Sequence, residues 1–321
     1  MRVAVSLLLF AAMSTAGFSA TIPPDITKTV VFIYADATGR PGPADGTGFL
    51  VSIPTPSNPN SFWLYLVTAK HVVLTDSNNF SSPLRDRIWI RVNKKGGGFG
   101  MYNIPLVGAG QVQSQTVYLN PDPGIDIAVV PIQPSDPDSF DLKVLPEEML
   151  ASGDDIQKLH IGVGTDMFFT GMFTPFLGEQ RSYPIVRFGK LAMIPGEKII
   201  FAGVATEGYL MEAFSFGGNS GSPVFFYPSA DNTPGLMMVG PVPIKIAGVM
   251  KGFFGDFEPI ALLQPSTAVS NQAIPASKEN SGIALVVPAK FIKEILDSPA
   301  LETIRQSELK KLAPPPHANR N

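Results

Sequence analysis

Ser220 stands in the run FSFGGNSGSPVFF, residues 214 to 226, with Gly217 and Gly218 before it and Gly221 after it. A serine hydroxyl is a weak nucleophile unless a base takes its proton, and attack on a carbonyl needs donors for the oxyanion that forms. Gly217 and Gly218 permit backbone conformations closed to other residues, which lets the N–H groups of Gly218 and Ser220 point into one cavity as an oxyanion hole. The same stretch also suits a glycine-rich hairpin turn, so a nucleophile here needs a base and an orienter from elsewhere. The chain has three histidines, His71, His160 and His317. His71 leaves the apolar run YLVTAKHVV just after the small residues Thr68 and Ala69. That position can hold an exposed ring at a cleft edge, or a structural histidine bonded within a strand or short helix. Asp126 is embedded in GIDIAVVPI. A carboxylate in an apolar strand needs a partner because desolvating a charge is costly. An imidazole N–H would serve, and so would a set of backbone N–H groups.

Other stretches carry weaker signals. KKGGGFG at 94–100 lacks the spacing of a phosphate-binding loop and reads as a hairpin turn, and GAG at 108–110 falls short of a dinucleotide fingerprint. His160, in KLHIGVG, reads as structural, and His317 lies in the tail. DMFFTGMFTPF at 166–176 reads as core, or as a loop beside a cleft.

The elements that must position these residues are strands. The 31 prolines and 30 glycines punctuate short runs rich in Val, Ile, Phe and Tyr, the pattern of an all-β chain. Strands are predicted over 28–36, 46–53, 62–69, 87–93, 125–132, 166–173, 184–194, 198–205, 221–227, 245–253 and 282–288. Helical spacing emerges only after residue 288, where Phe291, Ile292 and Ile295 share a face and Pro299 divides the segment into two short helices. The tail APPPHANRN reads as disordered. A proline-rich loop, QPSDPDSFD at 133–141, falls near the midpoint and suits a connection between two halves.

The chain has 321 residues, 45% hydrophobic and 16% charged, enough apolar material for a sizeable core. A net charge of −3 gives no basic stripe for nucleic acid. Residues 1–20, MRVAVSLLLFAAMSTAGFSA, join Arg2 to a short apolar run and to small residues ending at Ala16 or Ala20. This reads as a secretory signal peptide, too short in its apolar part to span a bilayer, so no stable membrane anchor is expected after its removal. The absence of cysteine excludes structural disulfides and cysteine-bound zinc. An exported chain held by its core alone suits a bacterial periplasmic or secreted protein.

Taken in order, TAKHV, DIAVV and GNSGSP resemble the histidine, aspartate and nucleophile motifs of the chymotrypsin-fold, trypsin-like serine endopeptidases. GTGFLV resembles the strand before the histidine in that family, and GIALVVP its last strand before a C-terminal helix. The resemblance covers roughly residues 28 to 300. It implies two six-stranded antiparallel β-barrels with a short C-terminal helix: an N-terminal barrel over 21–135 carrying His71 and Asp126, and a C-terminal barrel over 136–300 carrying Ser220. Residues 301–321 would hold the helix end and the tail. It implies peptide-bond hydrolysis with His71, Asp126 and Ser220 catalytic, Gly218 and Ser220 as the oxyanion hole, and no metal or organic cofactor. The substrate would be a protein or peptide. Phe214, Ser215 and Phe216 would wall the specificity pocket, and with no acidic residue among them a small or medium apolar side chain is expected. Gly248, Val249 and Met250 would offer an open strand edge to an extended peptide. The cysteine-free, exported character and Asn219 look more like the bacterial branch, near the HtrA type, without room for a PDZ domain. Ser222 departs from the family's usual second glycine. A pseudoprotease that binds peptides without turnover is the alternative.

Overall fold

The computed structural model describes residues 22–312 apart from 37, 39–45, 57, 108–115, 135, 229–242 and 260–275. The expected signal peptide, the tail with His317 and the run at 108–110 lie outside the described residues.

The first half is one curled sheet of β1 (Val30–Tyr34), β2 (Gly46–Thr55), β3 (Asn58–Thr68), β4 (Arg87–Asn93), β5 (Phe99–Pro105), β6 (Tyr118–Leu119), β7 (Ala128–Ile132) and β8 (Leu145–Pro146). The strands run in the order β5-β4-β1-β2-β3-β7-β6, and β8 lies parallel to β2. In the second half come β9 (Asp166–Gly171) and β10 (Ile185–Met193), then β11 (Ile199–Phe201) and β12 (Val204–Thr206), then β13 (Tyr209–Glu212), β14 (Pro223–Phe226), β15 (Lys245–Pro259) and β16 (Ala276–Pro288). Six of these close a barrel in the order β10-β13-β16-β15-β14-β9, while β11 and β12 form a hairpin of their own. This is the chymotrypsin-like double barrel. Among the described residues the first sheet curls into a half-barrel beside the closed one: β6 has only two residues, and neither it nor β5 gains a closing partner.

The two halves share one core. In β1, Val31 and Ile33 point into the main cluster of the first sheet, while Phe32 and Tyr34 on the other face pack with Met172, just beyond β9. This alternation follows from the two-residue period of a strand. Phe168 and Phe225 stack at 4.8 Å and belong to the same cluster as β2 and β3. The expected turn at KKGGGFG is the β4–β5 hairpin, with Gly97 and Gly98 both at positive φ.

Several elements depart from the sequence pattern: β5, β6, β8 and β13 lie outside the predicted strands. The single strand expected over 198–205 is the β11–β12 hairpin, because Ala202 (φ 48°) and Gly203 (φ 78°) make a two-residue turn with both central residues left-handed. A short helix, α1 (Gly153–Lys158), is set by a capping box: the Asp155 amide donates to Ser152 Oγ and the Ser152 amide donates to the Asp155 carboxylate. After β16 come α2 (Lys290–Leu296) and α3 (Pro299–Leu312), divided at Pro299 as expected. Phe291, Ile292 and Ile295 are buried. The last helix returns to the first half: Arg305 donates to the Tyr65 hydroxyl on β3 at 3.1 Å, and the Trp63 indole donates to Glu308 at 2.8 Å.

Candidate active site

His71 lies in a single 3-10 turn, Lys70–Val73, directly after β3 ends at Thr68. Asp126 lies just before β7 and is fully buried. The turn brings the His71 ring over the aspartate: Nδ1 and Asp126 Oδ2 are 2.7 Å apart, and the His71 backbone amide donates to Oδ1 at 3.0 Å. Both candidate partners of the buried carboxylate, an imidazole and a backbone N–H, thus come from one residue. Burial by itself would raise the Asp126 carboxyl. The positive field and hydrogen bonds of His71, with a contribution from the Lys251 ammonium, outweigh burial and hold it below the ordinary aspartate range.

Ser220 is held in the loop between β13 and β14 by a residue from the first half. The Thr47 amide donates to the Ser220 carbonyl at 2.8 Å, its hydroxyl donates to the Gly218 carbonyl at 2.8 Å, and that hydroxyl accepts from the Met172 amide at 3.2 Å. With these carbonyls turned toward Thr47, neither the Gly218 nor the Ser220 amide donates to another group among the described residues. Gly218 has the positive φ (91°) that this arrangement needs. Asn219 between them is buried, and its side-chain amide donates to the Met172 carbonyl at 2.7 Å and accepts from the Phe216 amide at 3.1 Å. The loop is therefore locked by neutral backbone contacts of Asn219.

The other fixed point is Gly221, at φ 87°. A Cβ there would stand 2.0 Å from the Thr47 carbonyl oxygen and 2.3 Å from Thr68 Oγ1. Gly221→Ala is expected to combine left-handed strain with overpacking and to cost about 3 kcal/mol or more. Chemical denaturation of the variant checks this as a lowered midpoint at unchanged slope.

His71, Asp126, Gly218 and Ser220 line one cleft of about 600 Å³ between the halves. Among the described residues no hydrogen bond joins Ser220 Oγ to the imidazole; the hydroxyl instead donates to the Lys251 carbonyl at 3.2 Å. Such contacts often tighten only with substrate bound. Phe216 lines the same cleft, joined by Phe80, Ile200, Phe201 and the β15 segment from Lys251 to Gly255. Among the described residues Asp126 is its only lining carboxylate.

The remaining substrate-contact expectations fare differently. Phe214 is 57% exposed and stacks on Phe216 with ring centroids 6.5 Å apart, outside the lining of the cleft. Ser215 is buried, and its carbonyl accepts from Asn280. The open edge expected at Gly248, Val249 and Met250 is corrected. Gly248 and Val249 are paired to β14 on one side and β16 on the other, and Met250 pairs with Val286 while exchanging backbone hydrogen bonds with Gly221 and Ser222. Since β14 begins at Pro223, opposite Val249, the chain that faces the cleft is the next stretch, from Lys251 onward. His160 is exposed at the end of α1, outside the cleft. Ser222 is buried, and its hydroxyl has no hydrogen-bond partner among the described residues.

Two features had little or no sequence signal. Thr47 was visible only as the middle of GTG in β2. Lys251 reads as an exposed strand lysine but is 2% exposed. Its ammonium reaches the Gly124 carbonyl at 3.4 Å and lies over the rings of Phe80 (4.8 Å) and Phe201 (5.5 Å). Burial pushes this amine below the usual lysine range; Asp126 opposes the shift and Lys70 adds to it.

No protein-family model matches the sequence, and no curated protein does. Among solved structures the chain is similar to the protease domain of MamO from Magnetospirillum magneticum in its apo form, at 15% identity and a TM-score of 0.47, covering 86% of this chain and 99% of that one. It is similar to an inactive alanine mutant of Rv3671c from M. tuberculosis at 14% identity and a TM-score of 0.38, covering 84% and 86%. HBP matches at 10% identity and a TM-score of 0.43, covering 87% and 96%.

Proposed function

We propose that the chain is an exported serine endopeptidase of the bacterial trypsin-like kind, near the HtrA type, that hydrolyses peptide bonds through an acyl-enzyme. The observation that carries this reading is the shared cleft in which the His71 ring rests on buried Asp126 (2.7 Å) beside Ser220, whose amide, like that of Gly218, has no other acceptor among the described residues.

In this mechanism Ser220 Oγ attacks the scissile carbonyl carbon while His71 Nε2 takes the hydroxyl proton. Asp126 holds the Nδ1 proton in place and stabilises the imidazolium that forms. The carbonyl oxygen becomes an oxyanion held by the Gly218 and Ser220 amides, each donor contributing about 10²–10³ in rate. Collapse breaks the C–N bond, and His71 passes its proton to the leaving amine. A water then attacks the ester with His71 again as base, and Ser220 leaves with the proton restored.

The substrate is an extended peptide laid along β15 from Lys251 onward, where β14 no longer covers the strand. Phe216, Phe253 and Phe254 give the adjoining cleft an apolar wall, and Asp126, the only lining carboxylate among the described residues, is buried. That supports cleavage after apolar residues over basic ones. The test is incubation of the mature protein with an unfolded protein and sequencing of the fragments. Cleavage after apolar residues supports the reading, and cleavage after arginine or lysine overturns the specificity.

Export rests on residues 1–20. Expressed with its own N-terminus in a bacterium, the protein is expected in the periplasm or medium with a mature N-terminus after Ala16 or Ala20, read by intact mass. Recovery of the full-length chain in the cytoplasm would contradict it.

A second reading is favoured by one contact, the Ser220 hydroxyl on the Lys251 carbonyl and off the imidazole. A binding module of the same fold would keep this geometry with peptide bound and release no fragments.

A further inference from the structure

Lys251 spans from Ser220 to the turn just before Asp126. Its carbonyl accepts from Ser220 Oγ at 3.2 Å, and its side chain runs past the cleft floor to the Gly124 carbonyl, two residues before Asp126. A buried ammonium needs compensation, and one long hydrogen bond to a carbonyl is little. The rest is supplied by rings. Phe80 and Phe201 lie at 4.8 and 5.5 Å, and Phe201 is fixed edge-on against Phe254 with centroids 5.0 Å apart. Its ring also covers Gly252, where a Cβ would stand 3.1 Å from the Phe201 ring. The β11–β12 hairpin thus closes an aromatic box on the ammonium.

The charges around the box are few. The Lys70 ammonium also lies by Phe80, 6.0 Å from the ring. Asp122, near the Gly124 turn, is already paired to Lys198 at 2.6 Å. Neither Lys70 nor Lys251 has an ion-pair partner within 4.0 Å among the described residues. The carboxylate whose charge acts on the ammonium is Asp126, itself hydrogen-bonded to His71 at 2.7 Å and lining the same cleft as Lys251. Both residues are buried, which weakens the screening between them.

We propose that Lys251 is a positioning residue that acts by charge: its boxed ammonium holds Asp126 and His71 as carboxylate and neutral imidazole, so that the site stays competent at lower pH than the pair alone allows. The inference rests on the triad reading above. Adding a proton to the pair brings a second positive charge toward the ammonium, and that repulsion is what delays protonation. The direction agrees with the lowered Asp126 carboxyl, to which Lys251 contributes. It also agrees with the lowered Lys251 amine, in which Asp126 favours the charged form.

The experiment is the pH dependence of kcat/KM for the wild type, Lys251→Met and Lys251→Arg. Lys251→Met is expected to move the acid limb up by about one pH unit, which is about a tenfold loss at a fixed pH on that limb. Lys251→Arg keeps the limb in place even where the plateau rate falls. An acid limb unmoved in Lys251→Met, with only a uniform change of rate, overturns the proposal. Should Lys251→Met fail to fold, Phe201→Ala opens the box to water and is expected to move the limb in the same direction by a smaller amount; an unmoved limb again overturns it. The same comparison is read without turnover by NMR titration of the His71 ring in a Ser220→Ala background. A ring midpoint that moves with Lys251, beside a protein with Ser220 intact that hydrolyses nothing, supports the charge coupling while the endopeptidase reading fails. A ring midpoint unmoved in an active enzyme does the reverse.

Discussion

Ser220→Ala is expected to lower kcat on a peptide substrate by about 10⁶, with the fold and KM little changed. The alanine removes one oxygen that is half-buried and donates only to the Lys251 carbonyl. The loop around it is held by Thr47, Asn219 and Gly221 through backbone and amide groups that the substitution leaves alone. What survives is the oxyanion site and substrate binding, which together still exceed water by about 10³–10⁴. Steady-state kinetics beside a thermal melt check both halves of this expectation. A loss of activity matched by a loss of folded protein would contradict it.

Asp126→Asn is expected to lower kcat by about 10⁴ near neutral pH. The substitution keeps the shape but reverses a hydrogen bond. An amide NH2 facing His71 Nδ1, where a carboxylate oxygen now lies at 2.7 Å, donates to the ring and drives its proton to Nε2. Nε2 then has no lone pair for the Ser220 hydroxyl. The same variant carries a stability signature. The carboxyl of Asp126 lies below its unfolded value in the folded protein, because the charge and hydrogen bonds of His71 outweigh burial. Its interaction therefore stabilises the fold fully above the ordinary aspartate range, and this is lost as pH falls through the lowered folded value. Asp126→Asn should flatten that acid-side fall, as measured by denaturation midpoints across a pH series. A variant with wild-type acid sensitivity would show that other carboxylates carry it.

Much of this site is legible in the residues themselves. Strands ending in small residues, an aspartate stranded in an apolar run and a serine among glycines each demand a partner, and the three demands are met by one another or by the nearby backbone. The strands that carry them follow from β-branched and aromatic runs, as at β4, whose bounds match the predicted 87–93. What escaped has a common physical origin, since it depends on which strand lies beside which. Gly248–Met250 has the composition of an edge, but β14 and β16 flank Gly248 and Val249, and only the start of β14 at Pro223 determines where the cover stops. The hairpin at Ala202–Gly203 escaped because its left-handed residues include an alanine in place of the usual asparagine or aspartate. Thr47 and Lys251 matter through partners 171 and 31 residues away in the chain. No local pattern carries that information.

The most direct test of the central claim is covalent. The mature protein is treated with a fluorophosphonate, and the adduct is mapped by peptide mass spectrometry beside a Ser220→Ala control. The account predicts a stoichiometric adduct on the peptide containing Ser220 and none in the control. A folded protein that takes up no reagent, or an adduct that persists in Ser220→Ala, would contradict the assignment of Ser220 as an activated nucleophile.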